Sequence, residues 1–310
     1  MMPASEVAVL SLHDEDEYRG QTLYQLALLR LRRDYLTLIA IGVILILAAL
    51  ALLAPVVSSA LDVTYRRTNL QNTFAAIGSP GHLLGTDDLG RDQLSRLLYG
   101  ARVSLGIGFS AALVSLIVGT TVGVVAGFYQ GGRLSFIDDL IMWFVITLNS
   151  VPSLFLLLII SAMLSPTVFT LILILALLSW TSTMRFVRGE TLSHRNREYI
   201  VAAHAIGAST PRIMFLHILP NVFSVLAINL ASDIGGFILV ESALSFLNLG
   251  VRPPTPSWGN MLINAQTFYT KGVHLVILPG VMIVTTVLCL FLIGDGLRDA
   301  FDPQASKKVA

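Results

Sequence analysis

Asp233 and Glu241 stand inside an otherwise apolar segment at 222–248. An ionised carboxylate at the middle of a bilayer costs about 2.5–3.5 kcal/mol on insertion scales, so such a group faces a cavity or a partner. On a helix, the eight-residue separation is about two turns and leaves the two side chains within roughly 80° of each other. Gly235-Gly236 lies between them and loosens the helix there. Two chemistries fit this arrangement: a water-accessible polar strip along a pathway, or a structural hydrogen bond to a neighbouring helix. Both stay open on the residues alone.

Other groups with chemical potential are fewer. Asp87, Asp88, Arg91 and Asp92 alternate in sign within GTDDLGRD at 85–92, which predicts a solvated ion-pair cluster at a helix start. Paired aspartates of this kind also suit a cation. Gly108-Phe109-Ser110-Ala111 resembles a nucleophile setting, but a serine nucleophile needs a histidine at matching depth. His217 and His274 sit near segment edges, so Ser110 reads as helix packing. Cys289 is the sole cysteine and falls in the last apolar segment, which excludes a disulfide framework or cysteine metal site. No GxxxxGK[ST] phosphate loop occurs, and the only lysines are Lys271, Lys307 and Lys308. This chain supplies no nucleotide chemistry of its own.

The elements that must position these residues are set by composition. Apolar residues make up 55% of the 310 and charged ones 13%, about half the charge of an average soluble domain. The charge falls in islands, with runs between them that reach the roughly 20 residues needed to cross hydrocarbon. Six such runs are predicted, at about 36–57, 103–128, 136–163, 166–184, 222–248 and 274–297, and only Ser165-Pro166 separates the third from the fourth. The first lies behind the acidic Asp14–Glu17 cluster and is too long for a signal-peptide core, so it reads as an uncleaved span. Arg30, Arg32 and Arg33 directly precede it, and 13 of the 20 Lys and Arg residues fall inside if both termini are cytoplasmic.

The expected organisation is therefore an all-α polytopic membrane protein. It has a cytoplasmic tail and lead-in helix at 1–35, a six-helix transmembrane domain at 36–300 and a cytoplasmic tail at 301–310. Outer loops are expected at 58–102 and 249–273, and a cytoplasmic loop at 185–217. Gly119, Gly123 and Gly127 recur every four residues in the second span, which lines them on one helix face for close packing. Near 253–256 several prolines predict an extended stretch, and Trp258 suits a membrane interface.

The cytoplasmic island, RFVRGETLSHRNREYIVAAHAIGASTPRIMFLHILPN from Arg185, carries its own structural signals. Asn196 is a predicted N-cap with Glu198 in the first turn, residues 198–206 favour a short helix, and Gly207 suits its C-terminal turn. Thr210-Pro211 predicts a new helix start, and Pro220 a kink on the way into the fifth span. A helix this short is marginal alone and is expected to need a partner surface.

With these features assembled, the island resembles the EAA loop of permease subunits from bacterial ABC importers. That pattern has EAA, three residues, Gly, then a hydrophobic-Leu-Pro sequence, matched here by Val201-Ala202-Ala203, Gly207 and Ile218-Leu219-Pro220. GTDDLGRD at 85–92 and LVESALSFLNLGVRPPTPSWGNML from Leu239 resemble signatures of the dipeptide/oligopeptide/nickel subfamily, in particular its six-span "C" type subunit. The resemblance covers about 80–300. Two departures stand out: Val201 replaces the opening glutamate, with Glu198 the nearest acid, and Trp143 and Ile146 replace an arginine and an aspartate usual in the third span.

The resemblance implies a type I ABC importer architecture in a bacterial inner membrane. This subunit would form half of a pathway for di- or oligopeptides, paired with a second, different permease. Two cytoplasmic ATPases, holding ATP and Mg, would dock on Glu198, Val201, Ala202, Ala203, Ala205, Gly207 and Ala208. An extracytoplasmic solute-binding protein would deliver the substrate, and lipid would surround the spans. No cofactor in this chain, no enzymatic activity of its own and no nucleic-acid partner are expected. A nickel or other small-solute permease is the alternative within the family. A secondary transporter would show more intramembrane charge and an inverted repeat. A non-transporting scaffold gains weight from Val201, but the remaining motifs argue against it.

Overall fold

The computed structural model describes residues 23–164 and 167–301. The start of the 1–35 segment, the Ser165-Pro166 boundary and the tail from 302, with Lys307 and Lys308, lie outside the described residues. Helix α1 (Leu23–Arg33) leads to α2 (Tyr35–Leu52) and α3 (Ala54–Ala60). Asp34 starts α2 by accepting from the backbone N–H groups of Leu36 and Thr37 at 3.1 and 3.2 Å. Pro55, in the first turn of α3, restarts the helix after Leu53, so the first predicted span is two pieces. Arg30 of α1 donates to the Ala300 carbonyl, which places the N-terminal helix against the C-terminal one.

Helix α4 (Gln93–Tyr129) begins well before the predicted second span. Its 37 residues reach about 55 Å, longer than the hydrocarbon core. The predicted third span is not one straight helix: α5 (Ser135–Asn149) and α6 (Ser153–Leu164) meet at 74°. Pro152 accounts for the break, since its ring disfavours helical backbone at Val151 and it has no N–H to donate. Helix α7 (Val168–Arg195) starts with a reciprocal Thr167–Thr170 cap and runs far into the predicted cytoplasmic loop. Short α8 (Glu198–Ala205) follows, then α9 (Thr210–Phe246), α10 (Ala265–Lys271) and α11 (His274–Phe301). Five of these helices are long and apolar enough to cross a membrane, and the bent α5–α6 pair brings the number to six when counted as one broken span. No strand occurs among the described residues.

The glycine stripe sets the central packing. A Cβ on Gly119 would lie 2.7 Å from the Trp180 carbonyl oxygen, on Gly123 2.6 Å from that of Met184, and on Gly127 2.5 Å from that of Arg188. Four residues on α4 thus match four on α7, so the two helices run parallel and in step at backbone contact. Helix α9 lies against α4 at Gly108, where Ile238 fills the space, and against α11 at Gly235 and Gly294. Trp143 and Ile146 on α5 are 64% and 63% exposed, on the outside of the bundle.

Candidate functional site

One end of the bundle carries α8 on a braced platform. Arg195, at the end of α7, donates from Nη1 to the carbonyls of Phe128 and Gln130 at 2.7 and 2.6 Å. These carbonyls close α4 and have no intrahelical partner, so the guanidinium ties two helix ends together. One side of the platform is fixed by Arg188, whose Nε and Nη2 meet the two carboxylate oxygens of Asp138 on α5, both at 2.7 Å. The His194 ring nitrogen Nδ1 and the Tyr199 hydroxyl lie 2.9 Å apart across the α7–α8 corner. Burial raises the Tyr199 phenol above its ordinary value, against the opposing pull of Arg197, so it is a neutral hydroxyl at pH 7.

Helix α8 is the short helix the sequence predicts, with its start shifted. Asn196 does not cap it: Arg197 takes that position with extended backbone and no side-chain cap, and Asn196 closes α7 instead. Gly207 adopts φ +85, and the Gly207 and Ala208 N–H groups return to the His204 and Ala203 carbonyls. Ile200 and Ala203 are buried against Val124, Val187, Ile213 and Met214. The opposite face exposes Glu198, Val201, Ala202 and Ala205, and at its end Ile206 is 86% exposed. Of the predicted docking residues, Ala203 therefore faces inward, Ala208 packs beneath the loop and Gly207 shapes the turn. Ile206 is an outward apolar residue that sequence reasoning missed.

The loop passes directly into α9. Ser209, not Thr210, precedes the first turn. Residues Ile213–Ile218 then form a widened π turn, closed by the Leu219 N–H on the Met214 carbonyl. Pro220 has no N–H for the Leu216 carbonyl, so the expected kink is absorbed as this wider turn.

The two acids of α9 have different surroundings. Glu241 is fully buried and accepts from Ser104 Oγ of α4 at 3.0 Å and from Ser245 Oγ at 2.7 Å. Ser104 Oγ in turn accepts the Trp258 N–H, and Ser245 Oγ accepts the Val251 N–H, both at 3.1 Å. Asn260 Nδ2 donates to the Val251 and Thr255 carbonyls, which turns the proline segment back instead of leaving it extended. Trp258 is 0% exposed, its Nε1 on the Leu97 carbonyl at 3.1 Å, so it is a core residue and not an interface anchor. Gly100 and Gly259 permit this close seat. Asp233, by contrast, is half-buried and has no hydrogen bond or ion pair among the described residues. One turn along α9, at Asn229, begins a cavity of about 350 Å³ that is also lined by Phe186, Ser224 and Arg298.

At the far end of the bundle, Asp87 and Asp92 of GTDDLGRD are buried where solvation was expected, while Asp88 and Leu89 reach the surface. Asp87 is 1% exposed and accepts from Arg91 Nε at 2.7 Å, from Arg96, and from the Leu89 and Arg91 N–H groups. Asp92 caps α4 through the Ser95 N–H at 2.8 Å and meets His82 Nδ1 at 2.9 Å. Two guanidinium groups thus occupy the place a cation would take at Asp87. Among the described residues, no group of three or more His, Cys, Asp or Glu is placed to hold a metal ion. Ser104, Asp138, Arg188, Arg195 and Asn260 escaped sequence reasoning. Each was visible as a polar residue in or beside an apolar run, but its partner lies far along the chain.

Comparison with known proteins adds a family. The profile of the binding-protein-dependent transport system inner membrane component matches residues 119–307. The chain is 37% identical over 269 residues to the dipeptide transport system permease protein DppC of Haemophilus influenzae, covering 86% of this chain and 90% of that protein. It is 41% identical over 227 residues to the di/tripeptide transport system permease protein DppC of Pseudomonas aeruginosa, covering 73% and 74%. Identity is 35% over 289 residues to the oligopeptide transport system permease protein OppC of Bacillus subtilis, covering 93% and 92%.

Proposed function

This chain belongs to the family of binding-protein-dependent transport system inner membrane components, and from that membership we propose that it is the permease subunit forming half of a peptide pathway in an ATP-driven importer. The observation that carries the coupling part is the continuity of α8 with α9. An exposed, partly apolar helix surface is braced by Arg195 and Arg188 and joined through the Gly207 turn to the helix that begins with the π turn and carries Asp233. A push on Val201, Ala202, Ala205 or Ile206 reaches α9 across a short turn closed by the Gly207 and Ala208 N–H groups.

The relatives' names favour di- and oligopeptides over the nickel alternative as the solute. A second permease completes the pathway, an external binding protein delivers the peptide, and two ATPases holding ATP and Mg dock on the α8 surface. Both termini and α8 lie on the cytoplasmic side in this reading. Switching a two-state pathway from 1:99 to 99:1 takes about 5.5 kcal/mol, which the ATPases transmit through that small surface. Val201 supplies an apolar contact where the family's glutamate would supply charge, with Glu198 one turn earlier on the same exposed face.

The test is cysteine crosslinking in a Cys289→Ser background. Ala202→Cys and Ala205→Cys should crosslink to the co-expressed ATPases with yields that change on ATP binding, and the inward Ala203→Cys should not. Silence at both outward positions in an assembled complex would refute the coupling assignment.

A further inference from the structure

We propose that Asp233 is the cation-receiving group of the pathway, the carboxylate that meets the ammonium group of a passing peptide. This rests on the permease reading above. Three sides of α9 are covered by the chain itself. Ile234, Ile238 and Glu241 lie toward α4, Ser232 and Gly235 toward α11, and Leu230, Phe237 and Leu244 join the cluster that includes Leu171 and Leu175 of α7. The side left over runs from Gly236 to Leu239 and Ala243, where a Cβ on Gly236 would meet nothing within 4 Å and Leu239 is 44% exposed, and Asn229 and Asp233 stand at its edge beside the partly buried Val240.

Leu239 makes part of that side apolar, but the carboxylate at its edge makes lipid a poor neighbour there. A carboxylate within a span needs water, a protein cation or a passing cation, and none of the described residues supplies one to Asp233. Glu241, on the same helix, is fully buried with each oxygen held by a hydroxyl donor, so a solute does not reach it. Asn229, one turn from Asp233, also lines the cavity together with Ser224 and Arg298. Val225 and Asp233 are eight residues apart, so the Arg298 level lies roughly 12 Å along the helix from Asp233. A peptide is a zwitterion, and the face offers it one carboxylate and, farther toward the α8 end, one guanidinium. Single, separated charges give contacts strong enough to admit a charged solute and weak enough to release it.

The experiment places Gly236→Cys in the Cys289→Ser background, in the full complex with its second permease and ATPases in proteoliposomes. Modification rates by a cationic and an anionic methanethiosulfonate reagent are compared with Asp233 intact and with Asp233→Asn, in nucleotide-free and ATP-bound states. The cationic reagent should react about tenfold faster than the anionic one, falling to near parity in Asp233→Asn. Trialanine should slow the cationic reaction only when Asp233 is present. If the Gly236→Cys complex does not assemble, Asn229→Cys, one turn from Asp233 on its other side, carries the same measurement. A thiol that is unreactive in every state of an ATP-hydrolysing complex would overturn the proposal and assign Asp233 to an ion pair with the second permease. A reactive thiol whose charge preference ignores Asp233→Asn would also overturn it. Either failure leaves the Ala202 and Ala205 crosslinks, and so the permease reading, to be judged independently.

Discussion

Glu241 shows how little a residue's type says about its role. The same acid in a span serves a pathway or a scaffold depending on who donates to it, and here Ser104 and Ser245 do. Glu241→Ala removes the acceptor that joins α4, α9 and the 249–262 turn, and leaves buried hydroxyls without it. The expected loss is about 1–3 kcal/mol, seen as a lower unfolding temperature of the purified complex and faster proteolysis within 249–273. Unchanged proteolysis would show that Trp258 packing alone holds the loop. Asp34 gives a pH-dependent counterpart. Thr37 donates to its carboxylate, and the Thr37 and Leu36 N–H groups add to the effect, so its ionisation is held below the ordinary value despite some desolvation. A depressed value means the cap is fully effective at neutral pH and is lost as pH falls below about 4. Asp34→Ala should cost about 0.5–2 kcal/mol at pH 7, and that difference should shrink in acid.

At the scale of elements, the α4–α7 pair predicts two opposite outcomes for glycine substitutions on one helix. Gly123→Val would drive side-chain atoms into the Met184 carbonyl and Val187, so assembled complex should fall sharply in membranes. Gly106→Ala meets nothing within 4 Å and should be neutral or slightly stabilising, by up to about 1 kcal/mol from helix propensity. Comparable losses at both sites would mean that α4 and α7 are not in parallel register. The glycine stripe was legible because i, i+4 geometry is local to one helix, whereas its partner carbonyls at 180, 184 and 188 were not. The break at Pro152 had a local signal that hydropathy alone passed over. The α8 start moved by one residue because Asn196 found its place closing the longer α7.

For the whole molecule, the division of labour between chains is the testable property. Without a phosphate loop, the purified chain should neither bind nor hydrolyse ATP. Hydrolysis should appear only with the ATPases and respond to the binding protein when the second permease is present. Turnover by this chain alone would contradict that division. Asp233 fits the same picture, because no described residue of this chain partners it.

The sequence by itself determined the membrane class, the succession of apolar runs, the short α8 helix with its Gly207 turn, and the motifs that pointed to a permease. These are properties of contiguous residues: span length answers to bilayer thickness, and caps and turns answer to the next few backbone groups. Tertiary structure alone decided that Asp87 and Trp258 are buried, that Ala203 faces inward, and that Glu241 is locked while Asp233 has no partner among the described residues. Desolvation and hydrogen bonding depend on what distant segments place beside a side chain. Ser104 and Glu241 are 137 positions apart, and no local pattern encodes their contact.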